Sequence, residues 1–244
     1  MRLTIVNIST AISTVDFNAV VAAIRRQVTE DFQPEWNTPA TIRAAKLDLT
    51  QKKVVIKGVH QAIVYVGDSA TDPTRGIDSA YGYHSTNHDK IPYGFVYLDI
   101  SEKYHEPWTS TLSHEVLELL ADPSAVLSVA GPDPHNAKRT VRYDLEICDP
   151  TQSDTYLIDG VHVSNFVTRA YFGMVGGSSS TNFLKLSLKP FGVRPNGYVQ
   201  YEASHKTHEI DGAKLAKMAT ERRAARALMK HGRRNSRRAE RRYS

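Results

Sequence analysis

Three residues of one short segment, His114, Glu115 and Glu118, have the types and the spacing of a metal-dependent hydrolytic site. In an α-helix, side chains four positions apart lie one turn apart on the same face, so His114 and Glu118 can both reach one metal ion. Glu115 lies about 100° further round the helix axis, where its carboxylate can act as a general base toward water. Asp122, on the same polar side, is a candidate to orient His114 from outside the ligand set.

The sequence around this motif predicts the helix that the motif needs. Leucine and valine recur on the side opposite the motif, at positions 112, 116, 117, 119 and 120, which is the pattern of an amphipathic helix. We expect a helix over residues 107–121, with Thr109 or Ser110 as its N-cap. It should end before Asp122-Pro123, because a residue that precedes proline disfavours the helical region.

A second acidic segment follows in residues 143–150. In a strand over residues 143–148, Glu146 and Cys148 share one face, whereas Asp149 faces the other way unless the chain turns at Pro150. We expect Glu146 to be the third metal ligand, with Asp149 as the competing candidate. We interpret Cys148 as a small buried residue beside the site, since one thiolate alone is weak evidence for a ligand.

These two segments together carry a resemblance to known proteins. The sequence Ser113-His114-Glu115-Val116-Leu117-Glu118, followed by Glu146-Ile147-Cys148-Asp149, resembles a pattern of uncharacterised bacterial and phage proteins that is also found in exordium-like proteins. More distantly, it resembles the zincin metallopeptidases. The similarity covers about residues 1–172. It implies a zincin-like fold and a metal-dependent, most simply zinc-dependent, hydrolase of peptide bonds.

The chain departs from the zincin pattern at Glu118, where zincins have a second histidine. A His-Glu-Glu zinc site has no net charge, whereas a catalytic His₂Glu site keeps one positive charge to acidify water and polarise a carbonyl group. More oxygen ligands also admit Mn²⁺ or Ca²⁺ in place of Zn²⁺. The alternative function is therefore a weakly active or inactive zincin-fold structural or binding protein, for example a component of a phage particle.

The elements that must position these residues alternate in type along the chain. Hydrophobic periodicity predicts strands over residues 3–8, 41–49, 54–56, 60–66 and 93–100, with one helix from Asp16 to about Phe32 and the motif helix after the last strand. Short strands follow over residues 143–148, 155–158 and 161–163. We predict an α+β fold with a mixed sheet, and divide the chain into a metal-site domain (1–172), a β-rich or linker extension (173–212) and a basic helix and tail (213–244).

Two residues outside the motif are candidates for substrate binding. In zincins the strand before the active-site helix lies at the cleft edge and pairs with substrate, which by analogy places Tyr93 near the cleft. His84 lies in a polar segment that we interpret as a loop, and functional residues are frequent in loops.

Composition limits the classes of protein that remain. A single cysteine, Cys148, excludes an intrachain disulfide framework. No apolar run approaches the ~18 residues that span a bilayer, and the first residues lack the features of a signal peptide. We therefore expect a cytoplasmic protein, or a virion-associated one if phage-encoded, with no membrane partner.

The net charge of +5 is concentrated at one end of the chain. Residues 220–244 hold nine arginines, one lysine and two glutamates, a net charge of +8, and the remaining residues carry −3. A basic tail of this kind binds polyanions through their phosphates without sequence preference. We expect residues 221–242 to be able to bind nucleic acid or another polyanion.

Truncation after Thr220 tests this expectation about the tail. The full chain should retard a nucleic acid in a gel at low salt and lose that effect as salt rises, because the interaction depends on counterion release. The truncated chain should cause no shift under the same conditions. Equal retardation by both chains would show that the tail is not the binding segment.

Overall fold

The computed structural model describes residues 1–46, 61–69, 82–86, 91–103 and 105–212. The predicted strand over residues 54–56 and the basic helix and tail over residues 213–244 lie outside this described part. Within it, no helix is long and apolar enough to cross a membrane. Helices and several sheets are both present, in agreement with the predicted α+β class.

The first half of the chain forms a five-stranded mixed sheet in the order β2-β1-β3-β5-β4. Strands β1, β2, β3 and β5 are parallel to one another, and β4 is antiparallel to β5. Their bounds are Arg2–Asn7, Thr41–Lys46, Gln61–Gly67, Gly82–Thr86 and Pro92–Tyr97 for β1 to β5. The edge strand next to β5 is therefore β4, which contains His84, and the strand of Tyr93 lies between β3 and β4.

Two helices provide most of the apolar surface that covers this sheet. Helix α1 (Thr14–Arg26) buries Phe17, Val20, Val21 and Ile24, as its periodicity predicts. Its N-cap is Ser13, whose side chain accepts a hydrogen bond from the amide of Asp16, so Asp16 lies inside the first turn and is not the cap. The other helix, α4 (Trp108–Ala121), packs against β5 and β4 and shares the same core. A short helix α3 (Leu98–Lys103) replaces the end of the strand predicted over residues 93–100.

The helical segment that begins with α1 extends past its predicted end near Phe32. It includes a stretch in which the hydrogen-bond register changes. Residues Gln27–Phe32 form a π-helical turn, and helix α2 (Gln33–Trp36) follows directly. Pro34 falls in the first turn of α2. The continuation brings Trp36 against Phe32 and Phe172 in the main core.

The second half of the chain is built mainly from antiparallel hairpins. Strands β6 (Ser128–Asp133) and β7 (Asn136–Asp144) form a hairpin, most of which precedes the first strand predicted in this half, over residues 143–148. Strands β10 (Tyr198–Ala203) and β11 (Lys206–Asp211) complete a four-stranded sheet, in which β10 pairs with β7. The segment after residue 172 thus contributes strands to the same sheet as the segment before it.

A separate two-stranded hairpin packs directly on the motif helix. It consists of β8 (Thr155–Ile158) and β9 (Val161–Ser164), and β9 contacts α4. The turn residues Asp159 and Gly160 have φ values of 49° and 80°, as a tight two-residue hairpin turn requires. This hairpin and its turn agree with the sequence prediction.

The carboxylate of Asp68 fixes the loop between β1 and α1 to the end of β3. It accepts hydrogen bonds from the hydroxyl groups of Ser9 and Thr10 and from the amides of Thr10 and Ala11. Partial burial alone would raise the pKa of Asp68, but these hydrogen bonds outweigh it and lower the pKa to about 2. The ionised carboxylate is therefore the form that the loop stabilises.

The low pKa of Asp68 predicts how stability changes in acid. A folded-state pKa below the unfolded value adds stability above the unfolded pKa, and that stability is lost as pH falls toward 2. We expect Asp68→Asn to lower the free energy of unfolding by on the order of 1 kcal/mol at pH 6, after allowance for solvent screening. The difference from the unsubstituted chain should shrink as the pH is lowered from 4 toward about 2.

Urea unfolding at several pH values measures this difference. Glu102→Gln, which removes an exposed carboxylate on α3, is the charge-matched control and should have little effect at any pH. A difference between Asp68→Asn and the unsubstituted chain that stays constant from pH 6 to pH 2.5 would contradict the role of the carboxylate charge.

Candidate metal centre

Helix α4 is buried on all sides over most of its length, including the side that carries its ionisable residues. Residues 111–120 are all buried, and the exposed fractions of His114, Glu115 and Glu118 are 2%, 3% and 4%. The helix begins at Trp108 after the N-cap Pro107, so Thr109 and Ser110 lie in the first turn and neither is the cap. Enclosure of these charged groups is the first sign that the polar side is not a simple solvated surface.

The imidazole of His114 contacts two carboxylates through the same nitrogen. Its Nε2 atom lies 3.0 Å from Oε2 of Glu118 and 3.3 Å from Oδ1 of Asp149. Glu118 is one helical turn away, as the spacing predicts. The contact with Asp149 brings in a residue from a distant part of the chain.

A turn in the second acidic segment accounts for the position of Asp149. Strand β7 ends at Asp144, and a short 3₁₀ helix covers Asp149–Thr151, so only the first two residues of the strand predicted over 143–148 are in a strand. The amide of Cys148 donates a hydrogen bond to Oε1 of Glu118 (3.2 Å). Because the chain turns here and does not continue as a strand, Glu146, Cys148 and Asp149 all reach the same cluster.

Two overlapping groups of donor atoms meet at Glu118. His114, Glu118 and Cys148 form one group, and Glu118, Glu146 and Asp149 form the other, with the donor atoms of each group within 4.8 Å of one another. All five residues are buried. The cluster therefore combines imidazole, carboxylate and thiol donors, and Cys148, which sequence reasoning treated as a weak candidate, lies among them.

Burial dominates the electrostatics of this cluster. It raises the pKa of Glu118 to about 7, with the charge of His114 acting to lower that pKa and those of Asp149 and Glu146 acting to raise it. Burial also raises the pKa of the Cys148 thiol, and the nearby carboxylate of Glu118 adds to the increase. Both shifts show a site that disfavours further negative charge and would be stabilised by a cation.

The other predicted site residues have varied positions. Both carboxylate oxygens of Asp122 accept hydrogen bonds from the loop after α4, where the donors are Ser124 and the amide of Leu127. The role of Asp122 in orienting His114 stays a prediction. Tyr93 packs with Phe95 in an aromatic cluster on the sheet. His84 lies within β4, opposite Gly94, and not in a loop.

Sequence reasoning missed one group of residues beside the cluster. The side chain of Gln27, at the start of the π-helical turn, is fully buried and is hydrogen-bonded to Ser113, the residue before His114. Gln27 lies three residues after Ile24, on the side of the helix that also buries Val20 and Val28. A polar amide on the apolar side of a predicted helix was the available signal, because such a group needs a buried partner.

Comparison of the chain with protein-family models, with curated proteins and with solved structures gives no match.

The loop that carries Asp149 is closely packed against Gly197. A Cβ atom at position 197 would lie 2.3 Å from the carbonyl oxygen of Pro150 and 3.0 Å from that of Asp149. The amide of Arg194 also donates to the Pro150 oxygen, at 2.9 Å. The segment that follows residue 172 thus fixes the backbone of the Asp149 loop.

We expect Gly197→Ala to displace this loop. The added methyl group meets backbone atoms, so the substitution should destabilise the chain by about 1–3 kcal/mol, the usual range for overpacking. Gly173→Ala is the matched control. Its Cβ meets nothing within 4 Å, although its φ of +67° is strained for alanine, so its cost should be about 1 kcal/mol. Thermal unfolding of both variants gives the comparison, and a smaller loss for Gly197→Ala than for Gly173→Ala would contradict the packing argument.

Proposed function

We propose that this chain is a zincin-like, metal-dependent hydrolase of peptide bonds, in which His114, Glu118 and Asp149 hold a divalent cation, most simply Zn²⁺. Glu146 is the next carboxylate donor, and Glu115 is the general base. The observation that carries the proposal is the pair of contacts from His114 Nε2 to the carboxylates of Glu118 and Asp149. These contacts favour Asp149 over Glu146 as the third ligand, which reverses the preference expected from the sequence.

The spacing of these donors fits a tetrahedral zinc site. Two ligand atoms with bonds of ~2.0 Å to one tetrahedral ion are ~3.3 Å apart. The distances of 3.0 Å and 3.3 Å from His114 to its two partners are close to that value. A cation at this position would also counteract the burial and the charges of Asp149 and Glu146 that together raise the pKa of Glu118.

The types of donor atom in the cluster indicate which cation the site would hold. Carboxylates alone suit Mn²⁺ or Ca²⁺, whereas imidazole and thiol groups favour Zn²⁺. The group formed by His114, Glu118 and Cys148 therefore supports zinc as the first choice. Mn²⁺ and Ca²⁺ remain the alternatives through Glu118, Glu146 and Asp149.

In the proposed mechanism the chain supplies ligands and a proton carrier. When bound, the cation supplies Lewis acidity toward the scissile carbonyl group and the attacking water. Glu115 follows His114 on α4 and is buried, with an exposed fraction of 3%. Its carboxylate takes a proton from the water as the carbon–oxygen bond forms and delivers that proton to the leaving amine as the carbon–nitrogen bond breaks.

The enclosure of the site favours a second candidate function. The ligand candidates and Glu115 have exposed fractions of 8% or less, whereas a catalytic metal site keeps a position open to substrate. The second candidate is a structural or binding protein whose buried metal stabilises a zincin-like fold, with the basic tail attaching it to nucleic acid or another polyanion. The tail, residues 221–242, lies outside the described part of the chain.

Metal analysis of the purified full chain tests the site. We expect about one Zn²⁺ per chain and a melting temperature that rises with added Zn²⁺ and falls with chelator, since a ligand bound only to the folded state stabilises it. His114→Ala should lose the metal, whereas His162→Ala, on the exposed side of the β8–β9 hairpin, should retain it. A purified protein that contains no metal, and whose melting temperature does not change with added Zn²⁺ or chelator, would exclude the metal site.

Glu115→Gln separates the two candidate functions. The substitution keeps the size of the side chain and removes the base, so a hydrolase should lose at least about 100-fold in peptide cleavage while it binds Zn²⁺ normally. Cleavage of a denatured protein substrate by the zinc-loaded chain gives the rate. A zinc-loaded chain without activity, unchanged by Glu115→Gln, would favour the structural or binding role.

A further inference from the structure

A buried hydrogen-bond network joins helix α4 to two neighbouring elements through Ser113, the residue before His114. Ser113 Oγ donates to Oε1 of Gln27 at 2.6 Å and accepts from the amide of Ser164 at 2.9 Å. Gln27 Nε2 donates to the carbonyl oxygen of Ser164 at 2.8 Å and to the hydroxyl group of Tyr156 at 3.2 Å. The π-helical turn, α4 and β9 are therefore joined by hydrogen bonds that meet at Gln27 and Ser113.

The network is enclosed and its central groups are satisfied. Gln27 and Ser113 have no exposed surface, and Ser164 is 1% exposed. Both hydrogens of the Gln27 amide and its oxygen have partners. A fully satisfied buried network is rigid, because any displacement leaves a polar group without a partner in a region of low dielectric constant.

The same network reaches the loop that carries the other ligands. Just after β9, the amide of Val167 donates to the carbonyl oxygen of Ile147 at 2.7 Å. The chain that leaves β9 is thus held against Ile147, which precedes Cys148 and Asp149. Movement at Ser164 would be transmitted to both α4 and the Asp149 loop.

From these contacts we infer that Gln27 and Ser113 are positioning residues of the metal centre, and this inference rests on the proposed metal site. Ser113 precedes His114 and lies on the opposite side of α4 from Glu115. Its bonds to Gln27 and Ser164 fix the rotation of the helix about its axis. That rotation decides whether His114 and Glu118 face Asp149, so the network sets the distance between ligands from two segments of the chain.

The widened helical turn at Gln27 supports this role. Gln27 begins the π-helical stretch, in which the hydrogen-bond register of the helix changes. Such stretches are rare and are often found at functional sites. Here the register change occurs at Gln27, whose side chain is hydrogen-bonded to Ser113, the residue before His114.

The test compares metal affinity with stability in the full chain. Gln27→Met keeps the approximate length of the side chain and removes its hydrogen bonds, and Ser113→Ala removes the hydroxyl group. Each should weaken Zn²⁺ binding by about 10–100-fold, the usual effect of losing a residue that supports a ligand. The visible spectrum of the Co²⁺-loaded variants should also change, since it reports the arrangement of the ligands. Because the two side chains contact each other, the double variant should lose less affinity than the product of the single losses.

Tyr143→Phe is the matched control. It removes one hydrogen bond, from the Tyr143 hydroxyl group to the carbonyl oxygen of Pro132, in the β6–β7 hairpin. It should lower the melting temperature of the metal-free chain and leave the Zn²⁺ dissociation constant within about twofold, as expected for a site without a shared partner.

The possible outcomes separate this inference from the proposed function. Normal Zn²⁺ affinity and a normal Co²⁺ spectrum in Gln27→Met and Ser113→Ala, together with lower melting temperatures, would overturn the positioning role and leave a structural network. If Gln27→Met does not fold, Ser113→Ala alone gives the same comparison. If the unsubstituted chain binds metal but cleaves no peptide, only the proposed hydrolase activity is excluded. If it binds no metal, both the proposed function and the positioning role are excluded.

Discussion

The burial of several carboxylates around one imidazole is the constraint on which this structure depends. Glu118, Glu146 and Asp149 lie within 4.8 Å of one another through one oxygen each, beside His114. Charges of one sign at such distances and at such burial are costly unless a positive group compensates them. The raised pKa of Glu118 is the direct sign of that cost. A divalent cation offers the compensation in the least space, which is why the donor geometry and the electrostatics support the same proposal.

The surrounding elements act together to keep this arrangement. Helix α4 supplies His114 and Glu118, the turn at Asp149–Thr151 supplies the opposing carboxylate, and Gly197 permits the backbone of β10 to approach that turn closely. Gln27 holds Ser113, the residue before His114. Because each of these contacts joins segments distant in sequence, the centre is a product of the whole fold and not of the His-Glu-x-x-Glu motif alone.

The sequence could predict the parts of this site that depend on local periodicity. Helices α1 and α4, the strands β1 and β3 and the turn at Asp159-Gly160 follow from apolar spacing and from turn residues. The hairpin of β6 and β7 was missed, since its glycine, proline and asparagine residues are typical of loops and its pairing depends on β10. The 3₁₀ turn at Asp149 was not predicted as such, although the sequence analysis made the position of Asp149 depend on a turn at Pro150. The edge position of β4 has no local signature, because strand order is set by tertiary packing. The Gln27 amide on an apolar helix side signals a buried partner, but the identity of that partner depends on contacts between distant segments.

The position of Glu115 bears on the choice between a catalytic and a structural metal. A metal that only stabilises the fold needs its ligands and their immediate support, and it gains nothing from a further carboxylate in the same enclosure. Glu115 is nevertheless 3% exposed and acts on the Cys148 thiol electrostatically, as the other acids of the site do. A buried ionisable side chain lowers stability relative to an apolar residue of similar size, even when it has partners. In the proposed hydrolase a proton-transfer role for Glu115 would offset this cost, and substrate would reach its buried carboxylate only through a movement of the elements around α4.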